Sequence, residues 1–184
     1  MKIKDTFING LKIIEPEVFG DQRGYFIETF NQKNFEDLGL NYNFVQDNES
    51  MSTFGVLRGL HYQLEPYAQT KLVRVVSGNV FDVAVDLRRG SPTFGKWFGI
   101  ELSGENKIQF LIPKGFAHGF VVLSKEVVFQ YKCDEFYYPQ SERGIIFNDP
   151  TINIDWKLEE KDIHLSKKDR ENPILSKSDF NFIY

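Results

Sequence analysis

The stretch NVFDVAVDLR, residues 79–88, decides the fold class because apolar and polar residues alternate along it. The apolar side chains at positions 81, 83, 85 and 87 share one face, and the charged ones at 82, 86 and 88 share the other. A period of two predicts a β-strand, not a helix. The stretch KWFGIEL, residues 96–102, alternates in the same way. The sequence is therefore expected to fold mainly as β-sheet.

Turn sequences rich in Gly, Ser, Asn and Pro separate these runs, which is typical of short antiparallel strands. Helix is scarce: NQKNFEDLG predicts about two turns between an Asn31 N-cap and a stop at Gly39. SKKD, residues 166–169, is a capping-box pattern that opens a short C-terminal turn. Further strands are predicted at 3–9, 23–30, 44–52, 71–76, 107–112, 117–123 and 126–133. This pattern indicates an antiparallel sandwich or barrel.

The composition narrows the class of protein. A chain of 184 residues suits one domain, 1–184, and carries 26 acidic against 22 basic side chains. The mild negative charge argues against binding to nucleic acid or to a membrane surface through net charge. A single cysteine, Cys133, allows no intrachain disulfide, and the N-terminus has no signal-peptide core. A soluble, cytoplasmic protein is expected.

The N-terminal segment has no obvious hairpin partner beside it. An unpaired strand edge is normally covered. This predicts that the segment pairs with, or is exchanged to, a second subunit of a homodimer.

Two stretches resemble the two motifs of the cupin superfamily, which forms an antiparallel jelly roll also called a double-stranded β-helix. PKGFAH, ending at His118, fits the second motif, P-x-G-x-x-H. HYQ followed by KLVRVVSG fits the first motif, H-x-H and then E-x6-G, but with Gln63 and Lys71 at two ligand positions. A metal-binding cupin would offer three imidazoles and a carboxylate. The ammonium of Lys71 would repel a metal ion and has no lone pair to give.

The donor set therefore predicts a cavity without metal, in which Lys71 supplies the positive charge that a metal ion would have supplied. A fixed cation of this kind suits an oxyanion that forms during a reaction. The rival interpretations are a metal-dependent cupin and a non-catalytic sugar-nucleotide binding module. Chelator treatment and isotope exchange would distinguish them.

Over most of its length the chain resembles the dTDP-4-dehydrorhamnose 3,5-epimerase family. The resemblance runs from VFGDQRGYFIETF through QDNESMSTFGVLRGLHYQ, QTKLVRVVSGNVFDVAVDLRRGSPTFG, IPKGFAHGF, YKCDEFYYPQSERG and NDPTINIDW to LSKKD. That family inverts C3 and C5 of a nucleotide-linked 4-keto-6-deoxyhexose without metal or organic cofactor. An enzyme acting on only C3 or C5, or on another nucleotide-linked sugar, fits nearly as well.

The resemblance implies four catalytic roles. His61 matches the general base, and Asp169 matches the carboxylate that orients it. Lys71 matches the cation beside the C4 oxygen. Tyr131 matches the acid that reprotonates the far face of the sugar.

The resemblance also implies how the nucleotide sugar is bound. Tyr137 matches the aromatic residue that stacks on the base, with Tyr138 as the alternative. Lys168 matches a binding lysine, with Lys167 as the alternative. The full set of substrate-binding positions is Arg23, Glu28, Gln46, Asp47, Asn48, Arg58, Lys71, His118, Tyr137, Glu142 and Lys168.

Overall fold

The computed structural model describes residues 1–184 and consists mostly of β-strands. The strands are β1 (Lys2–Asp5), β2 (Lys12–Glu15), β3 (Val18–Asp21), β4 (Gly24–Ile27), β5 (Gln46–Thr53), β6 (Leu57–Gln63), β7 (Lys71–Ser77), β8 (Asn79–Asp86), β9 (Trp97–Ser103), β10 (Gln109–Ile112), β11 (Phe116–Val122), β12 (Glu126–Cys133) and β13 (Glu142–Gly144). Two short helices, α1 (Gln32–Asp37) and α2 (Lys167–Arg170), and three 3₁₀ turns at Pro139–Ser141, Glu160–Asp162 and Leu175–Lys177 complete the chain. None of the helices has the length and apolar composition needed to cross a membrane.

The strands form two antiparallel sheets that face each other. One sheet has six strands in the order β1-β2-β10-β7-β12-β5, and the other has five in the order β13-β6-β11-β8-β9. Fourteen buried apolar residues, among them Val73, Phe110 and Phe129, pack between the sheets. This arrangement confirms the predicted all-β jelly roll.

The alternation along β8 is real, but both of its faces are buried. Phe81, Val83 and Val85 pack on the outer side against the segment that follows β13, including Trp156 and Phe182. The opposite face, expected to be the polar one, points inward between the sheets. Its aspartates Asp82 and Asp86 are both fully buried. Polar residues on this strand are therefore interior groups that need partners, because a buried charge without a partner is costly.

The N-terminal segment has a partner within the chain, so the expectation that it lacks one is wrong. β1 pairs with β2 from Lys2↔Glu15 to Asp5↔Lys12, and β2 pairs in turn with β10. The sequence did not reveal this pairing, because β1 and β2 have only four residues each and are too short to show a clear period. Exchange between subunits stays a prediction.

The hairpin formed by β3 and β4 stands apart from both sheets. It pairs Val18↔Ile27 through Asp21↔Gly24 and makes a separate two-stranded sheet. Its aromatic side chains Phe19, Tyr25 and Phe26 are all more than half exposed. Exposed apolar patches of this kind mark interaction sites.

Both helix starts agree with the sequence prediction. The Asn31 side chain accepts a hydrogen bond from Asn34 N and caps α1, and the left-handed Gly39 follows the end of the helix. Ser166 caps α2 by accepting from Asp169 N. The second cap matters most, because it fixes the backbone of a residue that reaches the cavity.

Candidate active site

A cavity of about 610 Å³ lies between the two sheets. Eight of the side chains named in the sequence analysis line it, and five of these come from five different elements. They are His61 from β6, Lys71 from β7, His118 from β11, Tyr131 from β12 and Asp169 from α2.

Strand register sets the two walls of this cavity. On the five-stranded sheet β6 and β11 are neighbours, and His61 is paired with His118. On the six-stranded sheet β7 and β12 are neighbours, with Val73 paired with Tyr131. The imidazoles therefore belong to one wall, and Lys71 and Tyr131 belong to the facing wall.

His61 is hydrogen-bonded to Asp169. Its Nε2 lies 2.5 Å from Asp169 Oδ1. The second carboxylate oxygen, Oδ2, accepts a hydrogen bond of 2.9 Å from Ser166 Oγ, so one oxygen serves each partner. Burial works against ionisation of Asp169, but the hydrogen bonds from His61 and Ser166 outweigh it and lower its pKa. Asp169 is therefore a carboxylate at neutral pH.

Lys71 lies partly buried at the start of β7 on the facing wall. Burial lowers the pKa of its ammonium, while the nearby Cys133, Asp82 and Glu142 act in the opposite direction. Its Nζ lies 5.9 Å from the centre of the Tyr131 ring. Burial has the opposite effect on Tyr131 and raises the pKa of its phenol. The facing wall thus offers an ammonium close to a phenol that keeps its proton at neutral pH.

Asp82 is a site residue that the sequence analysis missed. His118 Nε2 lies 2.9 Å from both of its carboxylate oxygens, and Asp82 is fully buried. The signal was present, since an aspartate stands in the middle of an apolar strand. The alternation places Asp82 on the polar face of β8 but does not show that this face is buried.

The protein residues around the cavity do not suit a metal ion. No group of three or more His, Cys, Asp and Glu side chains is placed to hold one. Gln63, at a ligand position of metal-binding cupins, uses its amide for backbone groups of Tyr67, Phe136 and Tyr138. The ammonium of Lys71 occupies another such position and offers no lone pair.

A polar chain of contacts continues from the cavity towards Tyr137. The Tyr137 hydroxyl donates to Glu142 Oε2 at 2.7 Å, and Lys168 Nζ binds the same oxygen. Tyr137 N donates to Gln46 Oε1 at 3.0 Å, and Gln46 Nε2 donates to Asn48 Oδ1 at 3.0 Å. These contacts link five of the expected substrate-binding residues.

The structure distinguishes the two tyrosines considered for base stacking and the two lysines considered for substrate binding. Tyr138 is stacked on Tyr67 with 3.8 Å between ring centres, whereas Tyr137 is about half exposed. Lys167 points away towards Glu171, whereas Lys168 lines the cavity. These environments leave Tyr137 and Lys168 accessible to a ligand.

The rim of the cavity adds two basic residues. Arg58 lines it and donates from Nε to Ser52 Oγ at 3.0 Å. His164, to which the sequence analysis gave no role, also lines it.

Three expected binding residues lie away from His61. Arg23 is exposed at the tip of the β3–β4 hairpin and pairs with Asp21. Glu28 accepts hydrogen bonds from Asn31 and Asn34. Neither lines the cavity. Asp47 points out of β5 into an adjoining cavity of about 310 Å³.

A sequence model of the dTDP-4-dehydrorhamnose 3,5-epimerase family matches residues 5–177 of this chain. The chain belongs to this family. It is accordingly an isomerase of the epimerase class. The family match agrees with the resemblance seen in the sequence motifs, and the jelly roll that carries those motifs agrees with the fold of the family's solved structures.

The chain is similar to known epimerases over nearly its whole length. The dTDP-4-dehydrorhamnose 3,5-epimerase of Shigella flexneri is 57% identical over 182 residues, which cover 98% of this chain and 94% of that protein. The Legionella pneumophila dTDP-6-deoxy-D-glucose-3,5-epimerase, solved in complex with dTDP-4-keto-L-rhamnose, has 56% identity and a TM-score of 0.93 over 97% of this chain and 94% of its own. ChmJ, a 3'-monoepimerase from Streptomyces bikiniensis solved with dTDP-quinovose, has 32% identity and a TM-score of 0.85 over 93% and 86%.

Proposed function

We propose that this epimerase inverts both C5 and C3 of dTDP-4-dehydro-6-deoxy-D-glucose and forms dTDP-4-dehydro-L-rhamnose. Both carbons flank the C4 ketone, so loss of either hydrogen gives an enolate with its charge on the ketone oxygen. The chemistry needs a base, a cation beside that oxygen and an acid on the opposite face. One observation carries the proposal: the His61–Asp169 pair faces Lys71 and Tyr131 across one cavity.

His61 is the base in this proposal. The Asp169 carboxylate accepts a hydrogen bond from Nε2, which fixes the imidazole proton on that nitrogen and leaves the lone pair on Nδ1. Nδ1 takes the hydrogen from carbon, and the imidazolium that forms is stabilised by the carboxylate. The proton then passes to solvent before the next inversion.

Lys71 and Tyr131 complete the reaction from the facing wall. The Lys71 ammonium lies beside the C4 oxygen and stabilises the enolate charge. Tyr131 gives its phenol proton to the carbon on the face opposite His61, and the phenolate recovers a proton from water. Each inversion breaks one C–H bond and forms another, and nothing is oxidised or reduced.

The remaining expected residues hold the nucleotide. Tyr137 stacks on the thymine, a contact worth about 1–3 kcal/mol in comparable base–aromatic pairs. Gln46 and Asn48 contact the nucleoside. Arg58 and Lys168 bind the diphosphate, because guanidinium and ammonium groups suit phosphate oxygens. His118, which is bonded to Asp82, contacts the substrate from the cavity wall.

The same proposal includes a homodimer. The β3–β4 hairpin exposes aromatic residues and carries Arg23, followed closely by Glu28, both outside the cavity of their own chain. We propose that these two residues serve the cavity of the partner subunit. Sedimentation at two concentrations should give a dimer, and a monomer at micromolar concentration would contradict this part.

The decisive experiment follows hydrogen exchange in heavy water by NMR. With dTDP-4-keto-6-deoxyglucose, the wild type should incorporate deuterium at C3 and C5, before and after treatment with a chelator. A wild-type enzyme that labels neither carbon would refute the function.

Two variants separate the base from the acid. His61→Asn should lower exchange about 10²–10⁴-fold, since a positioned general base typically contributes that factor. Tyr131→Phe should retain exchange yet lose inversion, because deprotonation does not need the phenol. Tyr42→Phe, which also removes a partly buried hydroxyl but outside the cavity, is the matched control.

A narrower epimerase is the second candidate, and its support is the similarity to the 3'-monoepimerase ChmJ. The same exchange experiment decides between the two. An enzyme of the narrower kind would place deuterium at only one of the two carbons in the product.

A further inference from the structure

Gln63 occupies the last position of β6 and does not line the cavity of about 610 Å³, because its amide is bonded to backbone groups. Only 4% of the residue is exposed. Its Nε2 donates to Tyr67 O at 2.6 Å and to Phe136 O at 3.1 Å. Its Oε1 accepts from Tyr138 N at 2.7 Å. Both N–H groups of the amide and one lone pair of its oxygen are therefore hydrogen-bonded to backbone groups.

Those backbone groups belong mainly to the loop 134–138, which follows β12. Two further glutamines bind the same loop: Gln69 Nε2 donates to Glu135 O at 2.8 Å, and Gln46 Oε1 accepts from Tyr137 N at 3.0 Å. The loop is thus fixed at four successive residues by side-chain amides. Gln63 is the most buried of the three glutamines and makes the most bonds.

The result of this fixation is a difference between two adjacent tyrosines. Tyr138 has its amide bound to Gln63 and its ring stacked on Tyr67. Tyr138 is thereby held against Tyr67, while the neighbouring Tyr137 stays at the surface. Tyr137 is left half exposed, with its hydroxyl on Glu142.

We infer that Gln63 is a positioning residue for recognition of the nucleobase: it fixes the loop 134–138 so that Tyr137 presents its ring to the base. The inference rests on the proposed function, in which Tyr137 stacks on thymine. Gln63 touches neither the sugar nor the base. It acts through the backbone of the loop.

This role predicts a defect in binding with little defect in chemistry. The reacting groups His61, Lys71, Tyr131 and Asp169 make no hydrogen bond to Gln63, whereas the Gln63 amide holds a loop that contacts the base. Gln63→Met keeps the length of the side chain and removes all three hydrogen bonds. We expect the Kd for dTDP and the KM for the sugar nucleotide to rise about tenfold to a hundredfold. The kcat should stay within about threefold.

Two controls separate positioning from a general loss of structure. The Kd of the same variant for inorganic pyrophosphate, which lacks a base, should be unchanged. In a Tyr137→Ala background, Gln63→Met should raise the Kd for dTDP less than about twofold, because its effect passes through that ring. Gln32→Met, on the exposed face of α1, tests the substitution itself and should change neither constant.

The outcomes are distinct. A fall in kcat at constant KM, an equal loss of pyrophosphate binding, or an undiminished effect in the Tyr137→Ala background would each overturn the role of Gln63. A wild-type enzyme that does not bind dTDP would instead refute the proposed function. Melting temperatures of all variants show which ones are folded.

Discussion

Asp169 Oδ1 lies 2.5 Å from His61 Nε2, although 108 positions separate the two residues in the chain. The contact exists because the Ser166 cap starts α2 two residues earlier and holds Asp169 by both its N–H and its Oδ2. A helix of only four residues thereby delivers an ionised carboxylate to a histidine on a strand.

Asp169→Asn is expected to lower the exchange rate about 10²–10⁴-fold. The amide NH₂ would donate to Nε2, which moves the imidazole proton to Nδ1 and removes the lone pair that accepts hydrogen from carbon. Initial rates of deuterium uptake measure the loss. An asparagine variant with more than half of the wild-type rate would show that the carboxylate does not set the tautomer.

The fall in kcat/KM at high pH, the alkaline limb of the rate profile, should reflect deprotonation of Lys71. Burial lowers its pKa from the ordinary 10.5, so the ammonium is present below the lowered pKa and is lost as pH rises through it. The rate should fall over that range, below the pH at which an ordinary lysine titrates. Burial raises the pKa values of Tyr131 and Cys133, the latter to about 11, so neither accounts for the limb.

Lys71→Arg provides the check on this assignment. A guanidinium stays charged at all accessible pH values, so the variant should lose the alkaline limb whatever its absolute rate. The measurement is kcat/KM across the alkaline range. The same limb in wild type and variant would mean that another group is responsible.

Asp82→Asn should affect both folding and the pH profile. The substitution keeps the shape of the side chain but removes the charge that binds His118 and that raises the pKa of Lys71. We expect a loss of about 1–3 kcal/mol in the free energy of unfolding. The alkaline limb should also move to lower pH. Urea unfolding and the rate profile test the two effects, and an unmoved limb would contradict the second.

Gly119→Ala should slow the reaction with a smaller effect on stability. A Cβ at position 119 would lie 2.9 Å from the carbonyl oxygen of Arg58 and 3.2 Å from Cα of Gly59, both on β6. β6 would have to move away by tenths of an ångström and carry His61 with it. Small displacements of a reacting group can cost up to about 10²-fold in rate. An unchanged kcat with a lowered melting temperature would contradict this expectation.

Much of the fold follows from local pattern. The alternation of β8 and the caps Asn31 and Ser166 each depend on a few neighbouring residues, so the sequence predicts them. β6 was not predicted as a strand, because Gly59 interrupts the alternation of apolar and polar residues along it. The strand exists because β11 and β13 pair with it from both sides. Such support comes from distant parts of the chain.

In the cavity, too, local motifs were predictable from the sequence and contacts between distant parts of the chain were not. The motif spacing identified His61, Lys71 and His118, because it reproduces the positions of a known strand arrangement. It could not assign Asp82 to His118, since that requires knowing that this face of β8 points inward. Nor could it foresee the use of the Gln63 amide, whose partners lie in two loops whose conformation is set by packing.

The separation of Arg23 from the cavity of its own chain has a genetic consequence. If each active site takes Arg23 from one subunit and His61 from the other, a dimer mixed from an Arg23→Ala chain and a His61→Ala chain contains one intact site and one doubly defective site. Two inactive alleles expressed together at equal levels, with random pairing of the chains, would then restore about a quarter of the activity, because half of the dimers are mixed and each mixed dimer has one intact site. Neither allele would do so alone.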